Sequence, residues 1–345
     1  MSGIVAGMTR TELLSLAHRI LSIPTAPYHE HGVRAAVEEY CRGLGLQPVR
    51  DRAGNVIVKH PGKGAPLVFV AHMDHPGFEV VGQNRVEFLG SAAREMFVGS
   101  RVRIGDGAVR IKRIIREKPH ARLLEVTGPL AGEFGMWDVS GPTVRAGKLH
   151  APGIDDVLSV VVALATAAQV RRGPVWFVFT RAEEVGFHGA IKVAEAGLIP
   201  RDALVVSLEM SRERPWARQG QGPVVRIGDR MSTFDSHAAL FFMATAKAAG
   251  LPVQRALMDG GSCEATAFAA FGYRVGGLCL PLGNYHNIGP GLKPRAEYVS
   301  VADLEALVKL TVAAAARWRE FGRTGPDLKR RVVALGRAAP RKLKG

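Results

Sequence analysis

A chain of 345 residues with 47% hydrophobic and 22% charged residues can bury a large core and has an ordinary globular balance. No stretch approaches the roughly 18 consecutive apolar residues of a membrane span, and three cysteines (Cys41, Cys263, Cys279) without a C-x-x-C give no disulfide framework and suit a reducing compartment. The formal charge of +15 is partly local, because the segment from Arg323 to Lys344 also holds Lys329, Arg330, Arg331, Arg337, Arg341 and Lys342 against only Asp327.

In chain order, apolar residues recur at helical spacing from Thr9 to Ser22, and Thr9-x-x-Glu12 can form a capping box. The opening "MSGIVAGMTRTELL" lacks a basic region followed by a long apolar run, so a cytoplasmic location is expected. A second helix is expected from about Glu30 to Arg42, closed by Gly43. "QPVRDRAGNVIVKH" reads as two strand segments around a turn, and Leu67–Ala71 reads as a buried strand. From 78 to 149 the texture changes to short alternating runs such as "RVEFLG" and "AVRIKRII". That pattern predicts a small inserted all-β module, a partly closed barrel.

Past the insertion, "VLSVVVALATAAQV" is an apolar helix and "VWFVFT" a buried strand. A helix after Gly186 and the strand "ALVVSLEM" follow, then an apolar helix at 236–249 and the strand "PVQRALM". A helix from Cys263 to Ala270, the strand "YRVGGLCLPL" and a final helix from Val301 to Phe321 complete the series. Alternation of this kind implies an α/β fold, a mostly parallel mixed sheet flanked by helices. The expected division is a catalytic domain over 1–77 and 150–320, the barrel over 78–149, and a basic C-terminal tail over 321–345. The tail is read as solvated, since no aromatic residues interleave with its charges as a nucleic-acid platform would require.

Polar groups gather where strands end. "VFVAHMDHPGF" ends a strand at His72 with Asp74 two residues on, and "GIDDVLSV" sets Asp155 and Asp156 before a helix. Glu183 and Glu184 follow the strand "VWFVFT", Glu209 sits late in "VVSLEM", and His286 lies just past a fourth strand. Each admits a purely structural reading: an N-cap aspartate, a helix-start charge pair, a solvated strand end or a loop histidine. Together they gain a different meaning, because the C-terminal edge of a parallel sheet gathers strand ends into one crevice. Two histidines among several carboxylates there form a mixed nitrogen and oxygen site suited to a divalent metal.

"AHMDHPGF", "GIDDVLSV", "RAEEVGFHGA", "SLEM" and "YHN", in that order, resemble the motifs of the co-catalytic zinc aminopeptidases, specifically the M42 glutamyl and deblocking aminopeptidases related to M28 and M20. The resemblance covers about residues 8 to 320, and the β insertion between the first two motifs separates M42 from its relatives. It implies two divalent metals per subunit, zinc with cobalt or manganese as alternatives, bridged by Asp155. His72 and Glu209 would complete one metal's ligands, and Glu184 and His286 the other's. Asp74 would orient His72, and Glu183 would be the general base. The implied activity is hydrolysis of N-terminal residues from peptides, and the implied assembly a dimer or a hollow tetrahedral particle. An amidohydrolase of M20 type and a non-catalytic scaffold are the alternatives. This chain departs from the family pattern at His75, Val157, Glu209 and Cys263. His75, as a substrate contact, and Arg181 are expected to shape the pocket entrance.

Overall fold

The computed structural model describes residues 7–170 and 173–337. Helices α1 (Arg10–Leu21) and α2 (His31–Gly43) open the chain, followed by β1 (Val49–Arg50), β2 (Val56–His60) and β3 (Leu67–His72). The capping box forms as expected: Thr9 Oγ1 accepts from the Glu12 N–H, and Glu12 accepts from the Thr9 N–H at 2.7 Å.

Six strands then close a barrel: β4 (Gly77–Gly82), β5 (Arg85–Leu89), β6 (Arg101–Ile104), β7 (Gly107–Lys118), β8 (Ala121–Thr127) and β9 (Phe134–Trp137). Their order around it is β4-β5-β8-β7-β6-β9. Inward alternation fills it with Phe78, Phe88, Phe97 and Trp137, whose rings meet at 4.8 to 5.9 Å between centroids. The barrel closes at Trp137. The next strands, β10 (Thr143–Arg145) and β11 (Lys148–Ala151), turn away from it and pair with each other, and β11 pairs in turn with β17 (Glu297–Ser300), 146 positions later in the register Ala151↔Glu297. Periodicity alone could not assign them, since a strand's alternation does not name its neighbour.

Helix α3 (Val157–Gln169), β12 (Val175–Thr180), α4 (His188–Glu195), β13 (Leu204–Arg212) and β14 (Val224–Arg226) follow. Then come α5 (Ser236–Ala248), β15 (Gln254–Ala256), α6 (Glu264–Ala270) and β16 (Arg274–Leu282), with α7 (Val301–Ala316) and α8 (Thr324–Arg337) after β17. The main sheet has eight strands in the order β1-β2-β12-β3-β13-β16-β14-β15. Its four central strands β12, β3, β13 and β16 are parallel, while β2 and β14 run against their inner neighbours. This is the mixed α/β sheet with an inserted β-barrel that the pattern predicts.

Helix α3 is buried along nearly its whole length because it is apolar on every side. It packs between the sheet and helices α1 and α7. The final helix stops at Ala316, where a short 3-10 segment, Trp318–Arg323, intervenes, and α8 continues the chain. The expected solvated tail is therefore helical over Thr324–Arg337, with Lys329, Arg330 and Arg331 exposed; Arg341, Lys342 and Lys344 lie outside the described residues. Among the described residues no helix is long and apolar enough to cross a membrane.

Candidate metal centre and active site

Sheet register decides what gathers. Strand β3 pairs with β12 up to His72↔Thr180, so the chain leaves both strands at the same level. Glu183 and Glu184 follow β12 directly and are thereby brought beside Asp74. The Asp74 carboxylate accepts the Glu183 N–H at 3.0 Å on Oδ1 and the Glu184 N–H at 3.1 Å on Oδ2. His72 Nδ1 lies 3.1 Å from the Asp74 carbonyl and 3.5 Å from its carboxylate. Asp74 thus fixes the histidine and both glutamates at once. Burial pushes its carboxyl up, but His72 and the two N–H donors outweigh that and hold it below its ordinary value.

Strand β13 pairs with β3 only as far as Ser207↔Val70 and then runs on with β16. Glu209 stands on this overhang, inside the strand and not at its end, and accepts from Ser207 Oγ at 3.0 Å. Asp155 and Asp156 form the turn before α3, joined by a cis peptide. Asp156 occupies the N-cap position but makes no capping bond with its side chain. Its Oδ2 instead accepts the His72 N–H at 3.3 Å, and Oδ1 has no partner.

His286 comes from the loop after β16. Its Nε2 lies 3.5 Å from Asp155 Oδ2 and 3.3 Å from Glu184 Oε1. On the other side of Asp155, Oδ1 is 3.9 Å from His72 Nε2, and Glu183 Oε2 is 3.7 Å from the same nitrogen. Three sets of donor atoms lie within 4.8 Å of one another: His72 with Asp155, Asp156 and Glu209; His72 with Glu183 and Glu184; and Asp155 with Glu184 and His286. All seven residues expected at the centre therefore converge, counting Asp74 behind them.

So many buried carboxylates create an electrostatic problem. Burial pushes Glu183 and Asp156 well up and Glu209 to about 8, with neighbouring acids adding to the effect in all three. Burial alone would push His72 and His286 down, but the surrounding carboxylates raise both well above the usual imidazole range. A cation removes this strain, and two imidazoles with oxygen donors are a fitting set for a divalent one.

His75 does not shape the pocket entrance. It is fully buried; Nδ1 bonds the Asp155 carbonyl, and Nε2 lies 2.9 Å from Asn287 Oδ1. Its ring lies behind Asp155, away from the cleft, so its expected role as a substrate contact is withdrawn. Arg181 is likewise engaged internally, with Glu30 Oε2 at 2.6 Å and the carbonyls of Ala53 and Tyr28. Sequence patterns show that a residue ends a strand, but not which way its ring turns.

The cleft above the acidic cluster has a volume of about 450 Å³ and is lined by Glu183, Glu184, His286, Tyr285, Arg212 and Arg230. A recess of about 40 Å³ adjoins it beside Glu209, walled by Arg212, Arg214 and Arg226. Arg226 is buried and its Nε has no hydrogen-bond partner. None of these arginines stands out in the sequence; Arg226 had a faint signal as a charge ending the apolar run "PVVR". A separate cavity of about 610 Å³ lies between the end of α1 and β9, and none of the acidic cluster lines it. All three cysteines are buried and free, with burial pushing Cys41 to about 12 and Cys279 to about 11, so no thiol is poised for attack.

Comparison with known proteins agrees with this geometry. A protein of Acetivibrio thermocellus described as a "putative aminopeptidase" is 24% identical over 341 residues, covering 89% of this chain and 99% of that one. The TET aminopeptidase of a marine sediment thaumarchaeote superposes with a TM-score of 0.75 at 18% identity, covering 89% of this chain and 96% of that one. The Pyrococcus horikoshii TET1 peptidase gives 0.70 at 22% identity, over 88% and 99%. Residues 124–310 match the family of M42 glutamyl aminopeptidases. That span carries Asp155, Glu183, Glu184, Glu209 and His286, more than half the chain and most of the cleft, and the chain accordingly belongs to the M42 family of metal-dependent aminopeptidases.

Proposed function

We propose that the chain removes acidic N-terminal residues from peptides at a dinuclear centre. The observation that carries this reading is Asp155, whose two carboxylate oxygens face different imidazoles, His72 at 3.9 Å and His286 at 3.5 Å. In it, His72 and Glu209 would hold one cation and Glu184 and His286 the other, with Asp155 shared between them. Zinc suits the mixed donor set, and cobalt or manganese are accommodated by the same atoms. Such a pair, when bound, would supply Lewis acidity to a peptide carbonyl and to an attacking water.

Protein groups do the rest. Glu183 projects beside His72 at the edge of the cleft, and its raised proton affinity suits a base that must carry a proton to the leaving amine. Asp74 keeps Glu183 in place through its backbone. Arg212 and Arg230 on the cleft wall, with Arg226 in the recess, support an acidic side chain at the substrate's N-terminus. Association of subunits is proposed by analogy with the Pyrococcus horikoshii TET1 peptidase, described as assembling into a tetrahedron or a large octahedral shell.

The test runs glutamyl, aspartyl, leucyl and lysyl p-nitroanilides against wild type and Glu183→Gln, with metal content measured on both. Expected are two metals in each protein, preference for the acidic substrates, and a fall in kcat of about 10²- to 10⁴-fold in the variant. A variant that keeps its rate removes Glu183 as the base; a wild type without metal removes the centre.

A further inference from the structure

One buried carboxylate beside the centre belongs to none of these roles. Glu297 opens β17, and its pairing opposite Ala151 sets it next to the turn that carries Asp155. Oε2 accepts the N–H groups of Ile154 at 2.8 Å and Asp155 at 2.9 Å. Oε1 accepts the N–H of His286 at 2.7 Å. A single side chain therefore holds the backbone of the bridging aspartate and that of the histidine it faces.

A second tie runs alongside. His75 joins the Asp155 carbonyl to Asn287 Oδ1, and the Asn287 amide donates to the Pro152 carbonyl at 2.7 Å and the Arg295 carbonyl at 3.1 Å. Both His286 and Asn287 have left-handed backbone, φ 53° and 61°, which side-chain-bearing residues adopt only where neighbours hold them there. The Glu297 bond to the His286 N–H is one such hold.

We infer that Glu297 is a positioning residue that sets the separation of Asp155 and His286 and so governs how tightly the His286 side of the centre binds its cation. This rests on the dinuclear reading above. Three N–H donors converge on two carboxylate oxygens. Glutamine offers one acceptor and turns an NH2 toward at least one of the three donors, so one arm of the tie must give way.

The test measures cation affinity by competition with a chromophoric chelator, using zinc alone as the probe. In Glu297→Gln one of two zinc ions is expected to be held about 10- to 100-fold more weakly, as for other residues that orient ligands. Activity at limiting zinc falls in kcat with KM unchanged, and Glu297→Asp, which keeps the charge and both acceptors, recovers part of the affinity. Thr166→Val, which removes the buried Thr166–Thr311 hydroxyl contact away from the centre, controls for general destabilisation and leaves zinc affinity at the wild-type value. A folded Glu297→Gln protein with both zinc ions at wild-type affinity overturns the inference. If wild type binds a single zinc, the dinuclear reading is what fails, and the positioning role is then decided by that ion's affinity in the variant.

Discussion

At Glu209, desolvation has a measurable consequence. Burial lifts its carboxyl to about 8, and His72 and Arg226 oppose the rise without cancelling it. The metal-free folded protein then binds more protons than the unfolded chain between about pH 4.5 and 8, so its stability is highest on the acid side and falls as pH rises. For this one group the loss is on the order of 4–5 kcal/mol. A bound cation reverses the sign, because it needs the carboxylate deprotonated. Melting temperature should therefore fall from pH 5 to pH 8 in chelator and hold or rise with zinc. Parallel curves in the two conditions would mean that Glu209 does not meet the metal. The residues legible in the sequence were those whose chemistry coincided with a strand's last residues or a helix start: His72, Asp74, Asp155, Glu183, Glu184, Glu209 and His286. Glu297 was not, because its importance comes from three backbone N–H groups brought together by a pairing across the chain.

At the scale of elements, periodicity identified the parallel core and the β insertion. Continuous apolar runs such as Leu67–Ala71 have few other uses. It did not identify partners. Strands β10 and β11 alternate like those of the barrel yet belong with β17, and β14 is only three residues long. Helix α8 was hidden by its own charges, with Lys329, Arg330 and Arg331 separating Leu328 from Val332. The barrel's core is more predictable. Phe88 is fully buried and touches Phe78, Phe97 and Trp137. Replacing it with alanine should cost about 3–5 kcal/mol in denaturant unfolding. A loss below about 1 kcal/mol would mean that the aromatic cluster closes over the gap.

For the molecule as a whole, the positive charge and the acidic centre are spatially sorted. The carboxylates lie at the floor of the cleft, most of them buried, while Arg212 and Arg230 stand exposed at its wall and the chain carries +15 overall. Such a field speeds encounter with anionic peptides and is screened by salt. Between about 10 mM and 300 mM salt, kcat/KM for a glutamyl peptide should fall several-fold while that for a leucyl peptide changes little. Equal salt dependence for both would show that the arginines do not meet the substrate's side chain.

The carbonyl of Ser91, in the loop after β5, accepts a hydrogen bond from His286 Nδ1 at 2.7 Å. The imidazole that faces Asp155 is thus held from behind by the inserted module, not by the main sheet whose strands carry His72 and Glu209. If a cation binds at His286, its binding and the seating of the barrel should favour each other to the same degree. A copy whose barrel has not folded, or has been clipped, loses this hold on the His286 ring along with its shape. Damage to the insert should therefore yield a silent protein and not a peptidase freed of its restraints.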